Sequence, residues 1–249
     1  MSDRFALDGR VAVVTGASSG IGRHMCGVLA DAGATVVATA RRASRLEELA
    51  KGNDRIVAEA CDVTATEDCE RVIARAVALG GPDILVNAAG FGDPVPAFEV
   101  RMEDFRRTLD VDLTATFELS VLAAKAMRGR GGAIVNLASI FGLSGSWPIA
   151  QAAYVAAKGG VVNLTRQLGA EWAGEGIRVN AIAPGWFPSE LTEEMFADER
   201  SVRYIQRNTP MRRTGRLEEL DGVLLLLSGD AGSFITGQTI AVDGGWTAR

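Results

Sequence analysis

Seven short apolar runs, at residues 10–15, 35–39, 55–60, 83–86, 133–138, 176–183 and 238–242, alternate with stretches of helical periodicity. Runs of that length, rich in valine, isoleucine and alanine, suit strands buried on both faces. Strands separated by helices do not pair as hairpins. They imply a parallel sheet with right-handed crossovers and helices packed on both sides. The expected fold class is α/β: a doubly wound parallel sheet in three layers, α/β/α. At 249 residues the chain suits one large core, and no linker, repeat or low-complexity tract divides it. Residues 1–249 are therefore read as a single domain. Sheets of this kind bind ligands beyond the carboxyl ends of their strands. Gly16, Ala40, Asp62, Asn87, Ser139 and Pro184 all fall at such ends.

The first strand end runs Gly16-Ala17-Ser18-Ser19-Gly20-Ile21-Gly22 and leads into a helix over 21–32, closed by Gly33. Strand, glycine loop and helix in that order gather backbone N–H groups around a pyrophosphate. Glycines remove side chains where the chain must approach the phosphates. Such a loop is also an ordinary tight bend, and its place after the first strand favours the dinucleotide reading. After the second strand an acidic residue would favour NAD. This chain has Ala40-Arg41-Arg42 there, and a planar guanidinium suits a 2′-phosphate. NADP(H) is thus favoured over NAD(H), with Arg41 as the candidate contact. The alternative is that Arg42 and Arg45 simply begin a solvated helix over 43–51. Asp62, followed by Val63, either accepts from an adenine amino group or shapes a turn. Thr64-Ala65-Thr66-Glu67 has a capping-box pattern and starts a helix to residue 79. Asn87-Ala88-Ala89-Gly90 offers small residues against which a ligand can lie.

Chemistry is expected at Ser139, Tyr154 and Lys158. Tyr154 and Lys158 stand at i and i+4 of an Ala-rich helix over 152–175, so they share a face. A free phenol, with a pKa of about 10, exchanges protons poorly at neutral pH. A neighbouring ammonium stabilises the phenolate and brings it toward the working range. Ser139, ending a strand, would polarise a carbonyl. Taken alone, the pair is a common surface pattern and Ser139 a common turn former. Between the two, one helix is expected over 102–127. Residues 190–208 read as mobile helices forming a substrate lid at about 187–210, or as a plain surface insertion. The aromatics Phe91, Phe141, Trp147, Trp186, Phe187 and Phe196 suit either an apolar pocket or packing.

Composition narrows the partners. Basic residues number 26 and acidic ones 31, a net charge of −5, with no basic cluster for nucleic acid. His24 is the only histidine, which disfavours a histidine triad or a zinc site, and no metal is expected. Cys26, Cys61 and Cys69 lack metal spacing and suit a reduced, cytoplasmic protein. No opening segment reads as a signal peptide, and the run 223–227 is too brief to span a membrane.

With these residues in place, the chain resembles the short-chain dehydrogenase/reductase family over almost its full length. The motifs are Thr15-Gly16-x-x-x-Gly20-x-Gly22, Asn87-Ala88-Ala89-Gly90, Ser139, Tyr154-x-x-x-Lys158 and Pro184-Gly185. The resemblance implies a seven-stranded Rossmann-type sheet and an NAD(P)(H)-dependent oxidoreductase interconverting a secondary alcohol and a ketone. Tyr154 would be the acid/base and Ser139 would hold the carbonyl oxygen. Lys158 would bind the nicotinamide ribose and lower the Tyr154 pKa. Main chain near Phe187 and the Ser189 hydroxyl would orient the carboxamide. A homotetramer, or a homodimer, is implied, with the long helices at an interface. Two departures stand out. Asp112 falls where the family usually has asparagine, and it would either serve through its main-chain carbonyl or draw Lys158 from Tyr154. The interval from Ser139 to Tyr154 is 15 residues, about two longer than usual, and reshapes the substrate side. A catalytically weak cofactor-binding or scaffold protein is the alternative; an epimerase or dehydratase fits less well.

Overall fold

In the computed structural model, residues 4–248 are described. Among them, seven strands form one parallel sheet. The elements in chain order are β1 (Val11–Thr15), α1 (Gly20–Asp31), β2 (Thr35–Ala40), α2 (Ala43–Lys51), β3 (Ile56–Ala60), α3 (Thr66–Ala78) and β4 (Ile84–Asn87). There follow α4 (Met102–Leu109), α5 (Ala115–Met127), β5 (Gly132–Leu137), α6 (Ala152–Glu171) and β6 (Ile177–Pro184). The chain closes with α7 (Glu193–Ala197), α8 (Glu199–Asn208), α9 (Asp221–Ser228) and β7 (Thr239–Val242). The sheet order is β3-β2-β1-β4-β5-β6-β7, so the direction of winding reverses between β1 and β4. A crevice opens at that reversal, and it is where doubly wound sheets take their ligands.

The two faces follow from the two-residue period of a strand. Ala12 and Val14 of β1 face α1, α2 and α9, among Met25, Leu29, Leu46, Leu224 and Leu227. Val11 and Val13 face the other side, among Val72 of α3, Leu119 and Ala123 of α5 and Leu168 of α6. Every residue of β1 is buried, which is why the run carries no polar alternation.

Three expected boundaries differ. The helix over 102–127 is interrupted by a π-helical turn, Asp110–Thr114, which separates α4 from α5. The helix from 152 ends at Glu171 and tightens into a 3₁₀ turn, Ala173–Glu175. The capping box at Thr64 does not form. Asp62 takes its place: its carboxylate accepts from the N–H and hydroxyl of Thr64, 3.0 and 2.7 Å. The short Asp side chain closes that turn locally and outcompetes a cap from Thr64.

Candidate active site

The glycine loop is held open by what its glycines lack. Gly16 adopts φ +68°, and a Cβ there would fall 2.8 Å from the Ala88 carbonyl. A Cβ on Gly22 would fall 2.6 Å from the Gly16 carbonyl. The Thr15 hydroxyl joins this loop to the next strand end by accepting from the N–H groups of Ala88 and Ala89, 3.0 and 2.9 Å. Ser19 is the N-cap of α1 but offers no side-chain cap, so the first N–H groups of the helix are not satisfied by its hydroxyl. A backbone cradle that side chains would fill, with uncapped helix donors, fits the pyrophosphate of a dinucleotide. Gly20, Ile21 and Gly22 supply it. Among the described residues, no group of three or more His, Cys, Asp or Glu converges to hold a metal.

Arg41 is exposed at the end of β2. It is Arg42 that lies on the loop: its guanidinium donates to Ser18 Oγ at 2.8 Å and to Ser19 Oγ at 2.8 Å. The Thr64 contacts hold the Asp62 carboxyl below its usual range, with Arg41 adding to the effect. Val63 beside it is buried. The Asn87 side chain turns into the protein and donates to Asn136 Oδ1 at 2.9 Å and Ser120 Oγ at 3.0 Å. Asn136 in turn donates to Thr165. These buried polar groups lock β4, β5, α5 and α6 together, so the Asn87 amide is not free for a ligand.

Below the ends of β4 and β5 lies Lys158. Its Nζ is 3.0 Å from Asp112 Oδ1, and both side chains are almost completely buried. It donates to the Leu137 carbonyl at 3.0 Å, two residues before Ser139. The Asp112 contact is a charge contact rather than an aligned hydrogen bond, since Oδ1 has no hydrogen-bond partner. Asp112 Oδ2 accepts from the Phe91 N–H at 3.3 Å. The π turn carries Asp112, and π turns recur at functional positions. Burial alone would drive the ammonium toward its neutral form. The Asp112 carboxylate and Tyr154 more than offset this, and the Lys158 pKa is raised. Burial raises the Asp112 pKa in turn, against the pull of Lys158.

Lys158 Nζ stands 5.6 Å from the centroid of the Tyr154 ring. Tyr154 is half-buried and packs with Ile140, Phe141 and Trp186. Ser139 Oγ accepts from the Phe141 N–H at 3.1 Å, which fixes its rotamer and leaves its own proton to donate. Phe141 meets Trp186 edge to face at 5.6 Å, and Trp186 meets Trp246 likewise at 5.6 Å. These rings and Phe187 are packed, whereas Trp147 is 82% exposed. Phe196 packs partly buried against the same cluster, and Phe91 lies under the Arg107 guanidinium.

Segment 187–210 crosses this region. Beyond Pro184, Gly185 lies so close to Asp243 that a Cβ would meet its Cα at 2.8 Å. Thr192 Oγ1 donates to the Phe187 carbonyl at 2.7 Å and accepts from the Ser189 N–H at 3.0 Å. Tyr204 donates to the Trp147 carbonyl at 2.6 Å, tying α8 to the loop before α6. Glu190 pairs with both Arg42 and Arg45. Sequence reasoning does not single out Glu190 or Thr192, and it reaches Thr15 only as the first residue of the glycine-loop motif. The Ser-x-x-Thr spacing at 189–192 was the one available signal.

A family model described as enoyl-(acyl carrier protein) reductase matches residues 16–247, from the glycine loop to the last turn. The chain belongs to the short-chain dehydrogenase/reductase family. Among its relatives, galactitol 2-dehydrogenase (L-tagatose-forming) of Cereibacter sphaeroides is 40% identical, over 98% of this chain and 97% of that protein. A solved structure of a putative NAD(P)-dependent gluconate 5-dehydrogenase from Beutenbergia cavernae, with NADP at low occupancy, is 39% identical with a TM-score of 0.92. It covers 99% of this chain and 100% of that one. Gluconate 5-dehydrogenase from Burkholderia cenocepacia, in complex with NADP and tartrate, is 34% identical with a TM-score of 0.93, covering 99% and 98%. Like other short-chain dehydrogenases, this protein is an NAD(P)-dependent oxidoreductase that interconverts a secondary alcohol and a ketone.

Proposed function

We propose that Tyr154 is the acid/base of this reaction, with Ser139 and Lys158 as its partners. The observation that carries the reading is the buried, charged Lys158 beside the Tyr154 ring, at the strand end that presents Ser139. A bound nicotinamide supplies or takes the hydride. Ser139 donates its free proton to the carbonyl oxygen and fixes its position. Tyr154 gives its proton to that oxygen in reduction and takes it back in oxidation. The Lys158 charge favours the phenolate form, and Asp112 keeps that charge in place. Positioning and hydrogen bonding to the developing alkoxide supply much of the rate.

The cofactor is NADP(H) in preference to NAD(H). Three arginines at the start of α2 and no carboxylate at the end of β2 support this. Gly16, Ser18, Ser19, Gly20, Ile21, Gly22, Arg41, Asp62, Val63, Asn87, Ala89, Gly90, Pro184, Gly185, Phe187 and Ser189 border the dinucleotide. The substrate is a polyhydroxylated alcohol or its ketone, as the names of the relatives suggest. Residues 187–210 act as a lid, a role that the Tyr204–Trp147 bond supports. The protein works as a homotetramer or homodimer. The half-exposed Phe117, in a groove with Leu113 and Leu164 between α5 and α6, supports a covered face there. Three free, buried cysteines support a reducing, cytoplasmic setting.

Tyr154→Phe tests the core of this reading. Turnover of galactitol or gluconate with NADP⁺, followed at the reduced-nicotinamide band, is expected to fall by about 10²–10⁴. Cofactor affinity is expected to stay within about twofold, since only the proton-transfer group is lost. Retained turnover would remove Tyr154 from the role.

A further inference from the structure

The Glu190 carboxylate sits in an anion site that belongs to the glycine loop. Arg42 presents its planar fork to it at 3.1 and 2.8 Å, and Arg45 reaches it at 2.6 Å. The same Arg42 guanidinium is oriented from behind by the hydroxyls of Ser18 and Ser19. Two guanidinium groups, one of them held by the Ser18 and Ser19 hydroxyls, stand at the end of β2 beside the N-terminus of α1 and form a donor set suited to a phosphate. Its present occupant comes from 148 residues further along the chain. Glu190 opens the 3₁₀ turn Glu190–Thr192, and the Ser189 before it packs so near Gly20 that a Cβ there would fall 3.2 Å from Ser189 Cβ. The ion pair therefore straps the start of the lid across the mouth of the cofactor crevice.

Resting on the cofactor reading above, we propose that Glu190 selects between the two nicotinamide cofactors. Its carboxylate occupies the donors that a 2′-phosphate requires, so a phosphorylated ribose binds by displacing it. An unphosphorylated ribose leaves the strap closed. The exchange is one-sided by charge. The carboxylate carries one negative charge, whereas a phosphate monoester at neutral pH carries about 1.5 to 2 and three acceptor oxygens. Nor is the pair hard to open: all three side chains are more than two-fifths exposed, and ion pairs in such settings are weak. Strapping thus sets a modest discount on NADP(H) affinity and couples its arrival to release of the lid.

Glu190→Gln on the full chain tests this, with 2′-AMP and 5′-AMP as probes in calorimetric titrations. The variant is expected to bind 2′-AMP about three- to tenfold more tightly than wild type, and 5′-AMP within about twofold. Raising the salt concentration is expected to narrow the wild-type-to-variant gap for 2′-AMP. Equal tightening of both nucleotides, or weaker 2′-AMP binding by the variant, would overturn the inference alone. Failure of both proteins to bind either nucleotide would overturn the cofactor reading and this inference with it. Far-UV circular dichroism of the variant reports whether the fold is intact.

Discussion

Removing the Asp112 carboxylate exposes how much the site depends on one buried charge pair. At 3.0 Å and an effective dielectric of about 20, the attraction between Asp112 and Lys158 amounts to about 5–6 kcal/mol before desolvation. Desolvation offsets much of that in the intact protein. In Asp112→Ala the offset stays while the attraction goes, because Lys158 keeps only the Leu137 carbonyl as an acceptor. Breaking a buried pair from one side costs about 3–5 kcal/mol. For a chain of this size that is a fall in Tm of about 6–20 °C. Asp112→Asn keeps an acceptor facing the ammonium. Lacking both the charge and an aligned hydrogen bond, it is expected to recover less than half of the loss. The decisive assay is thermal unfolding at pH 7 of Asp112→Ala, Lys158→Met and the double variant. The double variant is expected to be more stable than the sum of the two losses by at least about 2 kcal/mol, because no charge is then stranded. Additive losses, or an Asp112→Ala protein melting within about 2 °C of wild type, would refute the pair as the support of Lys158.

Gly90→Ala would drive a Cβ into Asp112 Oδ1 and to 3.2 Å from Lys158 Nζ. It is expected to cost about 1–3 kcal/mol by overpacking and to lower turnover more than cofactor affinity, both measurable on one preparation. Arg42 holds the Glu190 pKa at about 2, below its ordinary 4.5. A depressed carboxylate contributes stability that is present above the unfolded pKa and lost as the pH falls through the folded one. The Tm difference between wild type and Glu190→Gln is therefore expected to shrink from pH 4.5 down to 2, and a constant difference over that window would contradict the ion pair.

The sheet was legible because its central strands are buried on both faces and keep valine- and isoleucine-rich cores, even though β3 carries Glu59 and β6 carries Arg178 and Asn180. The positions of Ser139 and Lys158 were legible for the same reason: strand ends and a four-residue helical interval are local properties. What sequence could not show was set by long-range contact. The helix across Asp112 reads as continuous, because Leu109, Leu113 and Phe117 keep a plausible period. Only the placement of a carboxylate under Gly90 reveals the π turn. Asn87 is legible as the residue at a strand end, but the engagement of its amide by Asn136 and Ser120, partners 49 and 33 residues away, is not, and that engagement leaves its main chain for a ligand. Arg41 and Arg42 are adjacent and chemically identical, and only the approach of Ser18, Ser19 and Glu190 distinguishes them.

The interruption between α4 and α5 also fixes the phase of everything after it. One residue of α-helix turns the chain by about 100°. Deleting a single residue from Asp110–Thr114 to restore a regular spiral would rotate α5 by that angle about its axis. Leu119 and Ala123 would leave the sheet, and the Thr116 and Ser120 oxygens would leave the Asn87 amide. The irregularity is thus a spacer that reconciles two demands on one rod: an acid turned toward the ammonium, and an apolar stripe turned toward the strands.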